Sequence, residues 1–412
     1  MKFDTKIVRS GIKPDPTTGA IVPPIYQTAT YVLPEIGRDL GFDYTRSANP
    51  TREILENNLA GIEGGKFGTC FASGMSAVDS VLKLLKKGEH IVCSDDVYGG
   101  VSRHFNNILV NYGLSFTYVD SSNPENVENA ITSVTKLLWV ETPTNPLLKV
   151  TDLNAMSQIA KNHGILFGVD STFATPVFLR PFEFGADIVM HSTTKYISGH
   201  NQIIGGIIIT NDEKIAEKAR KFSGIGYKHL TADAGRTSLG ISLAQDPNYE
   251  RFDTIGLNYR MPEICAAVGL AQFERIDKLV TRRQECAKFF NEAIRDCDWL
   301  IPQKVPVDYE NAYYTYALKF YGDKKYGISW KDFYNKYKSL GGDGFYGACK
   351  NPYLEPVFKN LKVNGMSFGP GLCPVAEEIQ PRIMQFKTNY RNLDVARQKA
   401  ELLKKLVQQI EK

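Results

Sequence analysis

Apolar and polar positions divide the chain into three stretches of different rhythm. Between residues 51 and 210, helical and strand patterns alternate. Leu55, Leu59 and Ile62 recur at helical spacing after Asn49-Pro50-Thr51, and Gly64-Gly65 ends the run. Ala77, Val78, Val81, Leu82, Leu84 and Leu85 repeat the same period. Short apolar runs read as buried strands: His90-Ile-Val-Cys93, Leu137-Leu-Trp-Val140, a run closing on Val169-Asp170, Ile188-Val-Met190 and Gly205-Gly-Ile-Ile-Ile-Thr210. A further helix is predicted over 152–163. Such alternation predicts an α/β fold with a largely parallel sheet and helices on both faces.

The flanking stretches differ. Residues 1–50 are rich in Pro, Gly, Thr and Tyr and carry little periodicity, so they read as an extended arm with short turns. Ile25, Tyr26, Tyr31, Val32, Phe42 and Tyr44 argue against a disordered leader. Amphipathic helices are predicted over 262–295 and 390–411. The chain is thus expected to divide into an arm at 1–50, a large domain at 51–250 and a smaller α+β carboxyl domain at 251–412.

Composition adds mostly exclusions. The chain has 412 residues, too many for one small core. A net charge of +4 with no basic stripe gives no reason to expect nucleic acid or membrane as partner. The seven cysteines are scattered without a C-x-x-C pair, so neither a metal site nor a disulfide framework is expected. No signal peptide or membrane span is expected, and the cytoplasm is the default location.

Candidate chemistry centres on Lys195, which comes just after the hydroxyl cluster Ser192-Thr-Thr194 between two buried strands. An apolar setting would lower its pKa and free the amine as a nucleophile; the ordinary alternative is a loop lysine with its head in water. Asp170 ends a strand at the carboxyl edge of the sheet, where such folds bind ligands, though a strand-end aspartate also serves as a helix cap. Together they suit pyridoxal phosphate (PLP). The lysine would form a Schiff base with it, and the carboxylate would keep the pyridine nitrogen protonated. Ser73-Gly74-Met75 at a helix start reads as a phosphate cradle or as a plain cap. Tyr98, with Gly99-Gly100 after it, reads as a ring stacked on the cofactor or as a surface turn residue.

Seven motifs in order then carry a resemblance: Pro23-Pro-Ile-Tyr26, Tyr44-Thr-Arg46, Ala72-Ser-Gly74-Met75-Ser-Ala77, Asp96-Val-Tyr98-Gly-Gly100, Glu141-Thr-Pro-Thr-Asn145-Pro146, Val169-Asp170-Ser-Thr-Phe173 and Ser192-Thr-Thr-Lys195-Tyr-Ile-Ser-Gly-His200. Residues 20–210 resemble the Cys/Met-metabolism family of PLP enzymes, which includes cystathionine γ-synthase, cystathionine γ-lyase and methionine γ-lyase. The resemblance implies fold type I, with a mostly parallel seven-stranded sheet flanked by helices. It implies that Gly74, Met75, Ser192 and Thr194 hold the cofactor's phosphate and ring, that Asn145 lies near the ring hydroxyl and the substrate, and that Tyr98 stacks and protonates the leaving group. It implies that the arm crosses to a neighbouring subunit, whose cofactor phosphate Tyr44 and Arg46 bind, in a homodimer or homotetramer with shared sites. Arg382 falls where the family clamps the substrate carboxylate; a surface ion pair is the alternative.

Past residue 210 the pattern changes. Thr237-Ser-Leu-Gly240-Ile-Ser242 only partly echoes the family, whereas Ile255–Gln272 and Cys373–Glu378 look like the sugar aminotransferases of antibiotic and lipopolysaccharide biosynthesis. In those enzymes the asparagine matching Asn258 contacts a neighbour's phosphate. Two activities are therefore expected in order: β/γ-elimination or γ-replacement on a sulfur amino acid or activated homoserine, and, as the alternative, amino transfer to a keto-sugar or other keto substrate.

Overall fold

The computed structural model describes residues 2–34, 39–199, 202–233, 248–356, 362–363 and 366–412. The echo at Thr237–Ser242 and His200 of the lysine motif lie outside the described residues. The chain divides into two compact units, the first ending at Asp277 and the second beginning at Lys278.

The first unit is built on a seven-stranded sheet. Its strands are β1 (Phe67–Phe71), β2 (His90–Ser94), β3 (Ser115–Val119), β4 (Thr135–Glu141), β5 (Leu166–Asp170), β6 (Ile188–His191) and β7 (Gly206–Thr210), in the order β1-β7-β6-β5-β4-β2-β3. The run from β3 through β2, β4 and β5 to β6 is parallel; β7 pairs antiparallel with both β6 and β1. Strand residues are buried in both phases of the pleat. Ile91, Cys93, Leu137, Trp139, Ile188 and Met190 pack in one cluster, and the alternate Val92, Leu138, Val140, Phe167, Val169 and Val189 are buried as well. A sheet covered on both faces explains why these strands read as unbroken apolar runs.

Four helices bear on the site or the arm: α1 (Phe3–Arg9), α2 (Pro50–Glu63), α3 (Gly74–Leu82) and α4 (Gly99–Asn107). α2 begins as its sequence predicts. The Asn49 side chain accepts the N–H of Thr51, and Pro50 occupies the first turn, where its missing N–H costs nothing. α1 corrects the reading of residues 1–50 as extended throughout. Its Ile7 is 2% exposed, and the buried Asn58 of α2 donates from Nδ2 to the carbonyls of Ile7 (2.8 Å) and Ser10 (2.9 Å). A seven-residue helix is too short to persist alone, so these contacts with α2 hold it. The rest of the arm leaves Ile21, Val22, Ile25, Val32 and Leu40 exposed.

The helix predicted over 262–295 is two helices, Glu263–Phe273 and Ile276–Ala293, and the second contains the boundary between units. The second unit carries a three-stranded antiparallel sheet with Tyr316–Phe320 between Leu300–Pro302 and Ile383–Phe386. Its core is aromatic: Phe290, Trp299, Tyr316, Phe333, Tyr337 and Phe386 are buried together. The last helix is Leu393–Ile410, capped by Asn392. Among the described residues, no helix is long and apolar enough to cross a membrane.

Asn58→Ala should release α1, because two buried carbonyls lose their donor at a cost of about 1–3 kcal/mol. The expected result is a lower thermal midpoint with faster proteolytic cleavage within residues 2–10; an unchanged cleavage pattern would contradict the role given to Asn58.

Candidate active site

Three parallel strands, β4, β5 and β6, end side by side. The segments just beyond their carboxyl ends line one pocket, with α3 closing another wall. Asp170, Asn145, Tyr98, Lys195, Ser192 and Thr194 all face it, as do Gly74 and Met75. Residues separated by up to 121 positions thus meet because parallel strands bring their carboxyl ends to one edge.

The anionic end of a ligand would meet α3. Ser73 caps this helix by accepting the N–H of Ser76 (3.1 Å). The N–H groups of Gly74 and Met75 have no carbonyl one turn earlier, and the helix dipole adds to their positive character. Gly74 lets the two walls approach closely: a Cβ there would stand 3.0 Å from the Cβ of Ser192. Thr194 is fixed next to this wall by its hydroxyl, which accepts the N–H of Gly205 at 3.1 Å.

Asp170 supplies the opposite polarity. It is 5% exposed, and its Oδ1 accepts the Thr172 N–H (3.0 Å) and hydroxyl (2.6 Å). Thr172 Oγ1 in turn accepts the N–H of Ser192 at 2.8 Å, joining the ends of β5 and β6. Burial holds the Asp170 carboxyl above its ordinary value of 3.8, with the Thr172 hydrogen bonds pulling the other way. Its strand neighbour Glu141, 6% exposed, is pushed well above 4.5, by burial first and by the adjacent Asp170 second. Two buried carboxyls at one end of a pocket call for a cationic partner.

Lys195 sits in the turn after β6, its N–H on the Ser192 carbonyl (3.2 Å) and its carbonyl on the Gly199 N–H (3.1 Å). It is half-buried in the pocket wall, not enclosed in an apolar interior as the flanking strands had suggested. Tyr98 is the residue before α4 and is 46% exposed. The glycines after it have a specific use. A Cβ on Gly100 would stand 2.5 Å from the ring's Cε1 and 3.0 Å from Met75 Sδ. Gly100 therefore makes room for Tyr98's own ring.

Other candidates lie elsewhere. Tyr44 and Arg46 do not line this pocket: the Arg46 guanidinium lies 4.6 Å from the Tyr44 ring centre and donates to the Tyr227 hydroxyl at 3.2 Å. Asn258 is exposed and bridges Gly224. Arg382, in the second unit, donates to Asp323 Oδ1 (2.8 Å) and the Phe320 carbonyl (3.1 Å), with Tyr321 beneath its guanidinium. Sequence reasoning missed Glu141 and Thr172 as site residues. Two neighbouring strands that each end in a carboxylate are the signal that marks Glu141.

The donor set fits pyridoxal phosphate. A helix start and hydroxyls would meet the phosphate, a buried carboxylate would meet a protonated ring nitrogen, and the amine of Lys195 lines the same pocket. Residues 4–244 match the family described as Cys/Met metabolism PLP-dependent enzyme. The chain belongs to that family of PLP-dependent enzymes. It is 45% identical over 218 residues to the probable cystathionine gamma-synthase of Herpetosiphon aurantiacus, covering 53% of this chain and 68% of that one. It is 47% identical over 218 residues to the cystathionine gamma-lyase of Bacillus subtilis, covering 53% and 58%. It is 47% identical over 221 residues to the cystathionine beta-lyase of Coxiella burnetii, covering 53% and 57%. The matched part thus spans little more than half the length of the latter two. The solved cystathionine gamma-lyase of Lactobacillus plantarum, crystallised with L-serine, shares the fold over 99% of this chain, with a TM-score of 0.74 and 24% identity.

The raised carboxyls give a pH prediction for the ligand-free protein. A carboxyl whose folded pKa exceeds its unfolded one contributes stability below the unfolded value, and that contribution is lost as pH rises through the folded value. Their contribution to the thermal midpoint should therefore fall as pH rises above about 4, the unfolded carboxylate range. Asp170→Asn should flatten that fall. Parallel curves for the two proteins would contradict the assignment.

Proposed function

We propose that this chain catalyses β- or γ-elimination, or γ-replacement, on an amino acid of the sulfur-amino-acid or activated-homoserine type. The observation that carries the proposal is a single pocket, within the family-matched segment, that unites Lys195, Asp170, Tyr98, Asn145 and the start of α3. Bound pyridoxal phosphate supplies a ring that accepts electrons from the substrate's α-carbon. The chain's own residues divide the remaining work. The start of α3, Ser192 and Thr194 hold the phosphate, and Asp170 keeps a proton on the ring nitrogen. Lys195 Nζ removes the α-proton and returns it. Tyr98, at the open side of the pocket, donates its phenolic proton to the departing group. Asn145 orients the substrate. Arg382 is the proposed partner of the substrate carboxylate.

The proposal includes a homodimer or homotetramer in the cytoplasm, with sites completed across subunits. Arg46 Nε is buried without a hydrogen-bond partner, and the arm that carries it exposes several large apolar side chains. A second copy that covers the arm and offers a phosphate to Arg46 would answer both features. Mixing Arg46→Ala subunits with Lys195→Ala subunits should restore part of the activity that each lacks alone. No recovery in verified hybrids would contradict a shared site.

Product analysis tests the reaction type. Cystathionine or an activated homoserine should yield ammonia with a 2-oxo acid, or a replacement product. Tyr98→Phe should slow turnover on the order of 10²–10⁴-fold. Exchange of the α-proton in deuterated water should largely persist. Near-wild-type turnover by Tyr98→Phe, together with amino transfer to a keto acceptor, would move the assignment to an aminotransferase.

A further inference from the structure

Tyr98 and Asn145 stand on separate loops, and nothing in either loop's own sequence fixes their spacing. Tyr98 ends the turn after β2; Asn145 lies in the loop after β4. Polar groups of each loop grip the other. From the β4 side, Glu141 Oε2 accepts the backbone N–H of Tyr98 at 2.6 Å. From the β2 side, Asp96 Oδ2 accepts the hydroxyl of Thr144 (2.5 Å) and the N–H of Leu147 (2.8 Å), on either side of Asn145. Lys149, in the Asn145 loop, adds an ion pair to Asp95 at 2.9 Å. The carboxyls of Glu141 and Asp96 are both raised by burial, and in each the donors of the opposite loop pull the other way.

We propose that Glu141 and Asp96 form a reciprocal carboxylate brace that sets the distance between Tyr98 and Asn145 across the pocket, and so places the phenol that serves the leaving group. Both are positioning residues. Asp96 acts entirely through Thr144 and Leu147, and Glu141 acts on Tyr98 through its backbone N–H. The role of the phenol rests on the reaction proposed above; the brace itself does not.

Hydrogen exchange separates the two. In the PLP-loaded protein, amides within 95–101 and 142–150 should exchange about five- to tenfold faster in Glu141→Leu, the range expected for loss of one well-placed hydrogen bond. Glu141→Gln, which keeps a carbonyl acceptor, should restore most of the protection. Thr144→Val keeps shape but removes the hydroxyl donor to Asp96, and should loosen 142–150 if Glu141→Leu does not fold. These measurements need no turnover. A kinetic cycle then reads the consequence: Glu141→Leu should lower kcat more than it raises KM, and should cost little further in a Tyr98→Phe background. Exchange unchanged in both loops overturns the brace. Faster exchange with additive kinetic losses overturns its link to Tyr98.

Discussion

The site depends on a buried carboxylate that makes no salt bridge among the described residues. Asp170 ends β5 inside a sheet covered on both faces, and its neighbour on β4 ends in Glu141. Burial leaves these charges little contact with water, and the hydrogen bonds to Asp170 come from one threonine. A protonated ring nitrogen is the complement this arrangement lacks. The same edge of the sheet presents Lys195 after β6 and the N–H groups at the start of α3. Those groups fix which way round a cofactor with a cationic ring and an anionic tail would lie.

Around that charge, the fold uses its polar side chains to align loops. Thr172 joins the end of β5 to that of β6 through Asp170 and the Ser192 N–H. Glu141 and Asp96 tie the turn after β2 to the loop after β4. Gly74 and Gly100 give way where Ser192 and the Tyr98 ring press closest. Buried polar networks of this kind place side chains well when every member is satisfied.

Much of this was legible in the sequence, for physical reasons. A sheet buried on both faces writes its strands as unbroken apolar runs, so β2, β4, β5, β6 and β7 stood out, and Asp170 and Lys195 emerged from their places at strand ends. Edge strand β3 is half-exposed and β1 is diluted by Gly68 and Thr69, so neither formed such a run. α1 was hidden because Asn58, about fifty positions away, holds it. The break between Phe273 and Ile276 was hidden because apolar positions continue through it. Glu141 was in view within its motif, but its bond to the Tyr98 N–H spans 43 positions. Family resemblance carried Tyr44, Arg46, Asn145 and Arg382 further than their residue types alone would. The last third, beyond the matched segment, keeps the fold while its sequence departs.

Everything proposed for the pocket turns on one covalent partner. The protein should be loaded with pyridoxal phosphate, reduced with borohydride to fix the bond between amine and cofactor, digested and mapped by mass spectrometry. The account predicts one label per chain, on Lys195, and its loss from Asp170→Ala as affinity for the cofactor falls. A label on another lysine, or none on a chain that holds the cofactor, would contradict it.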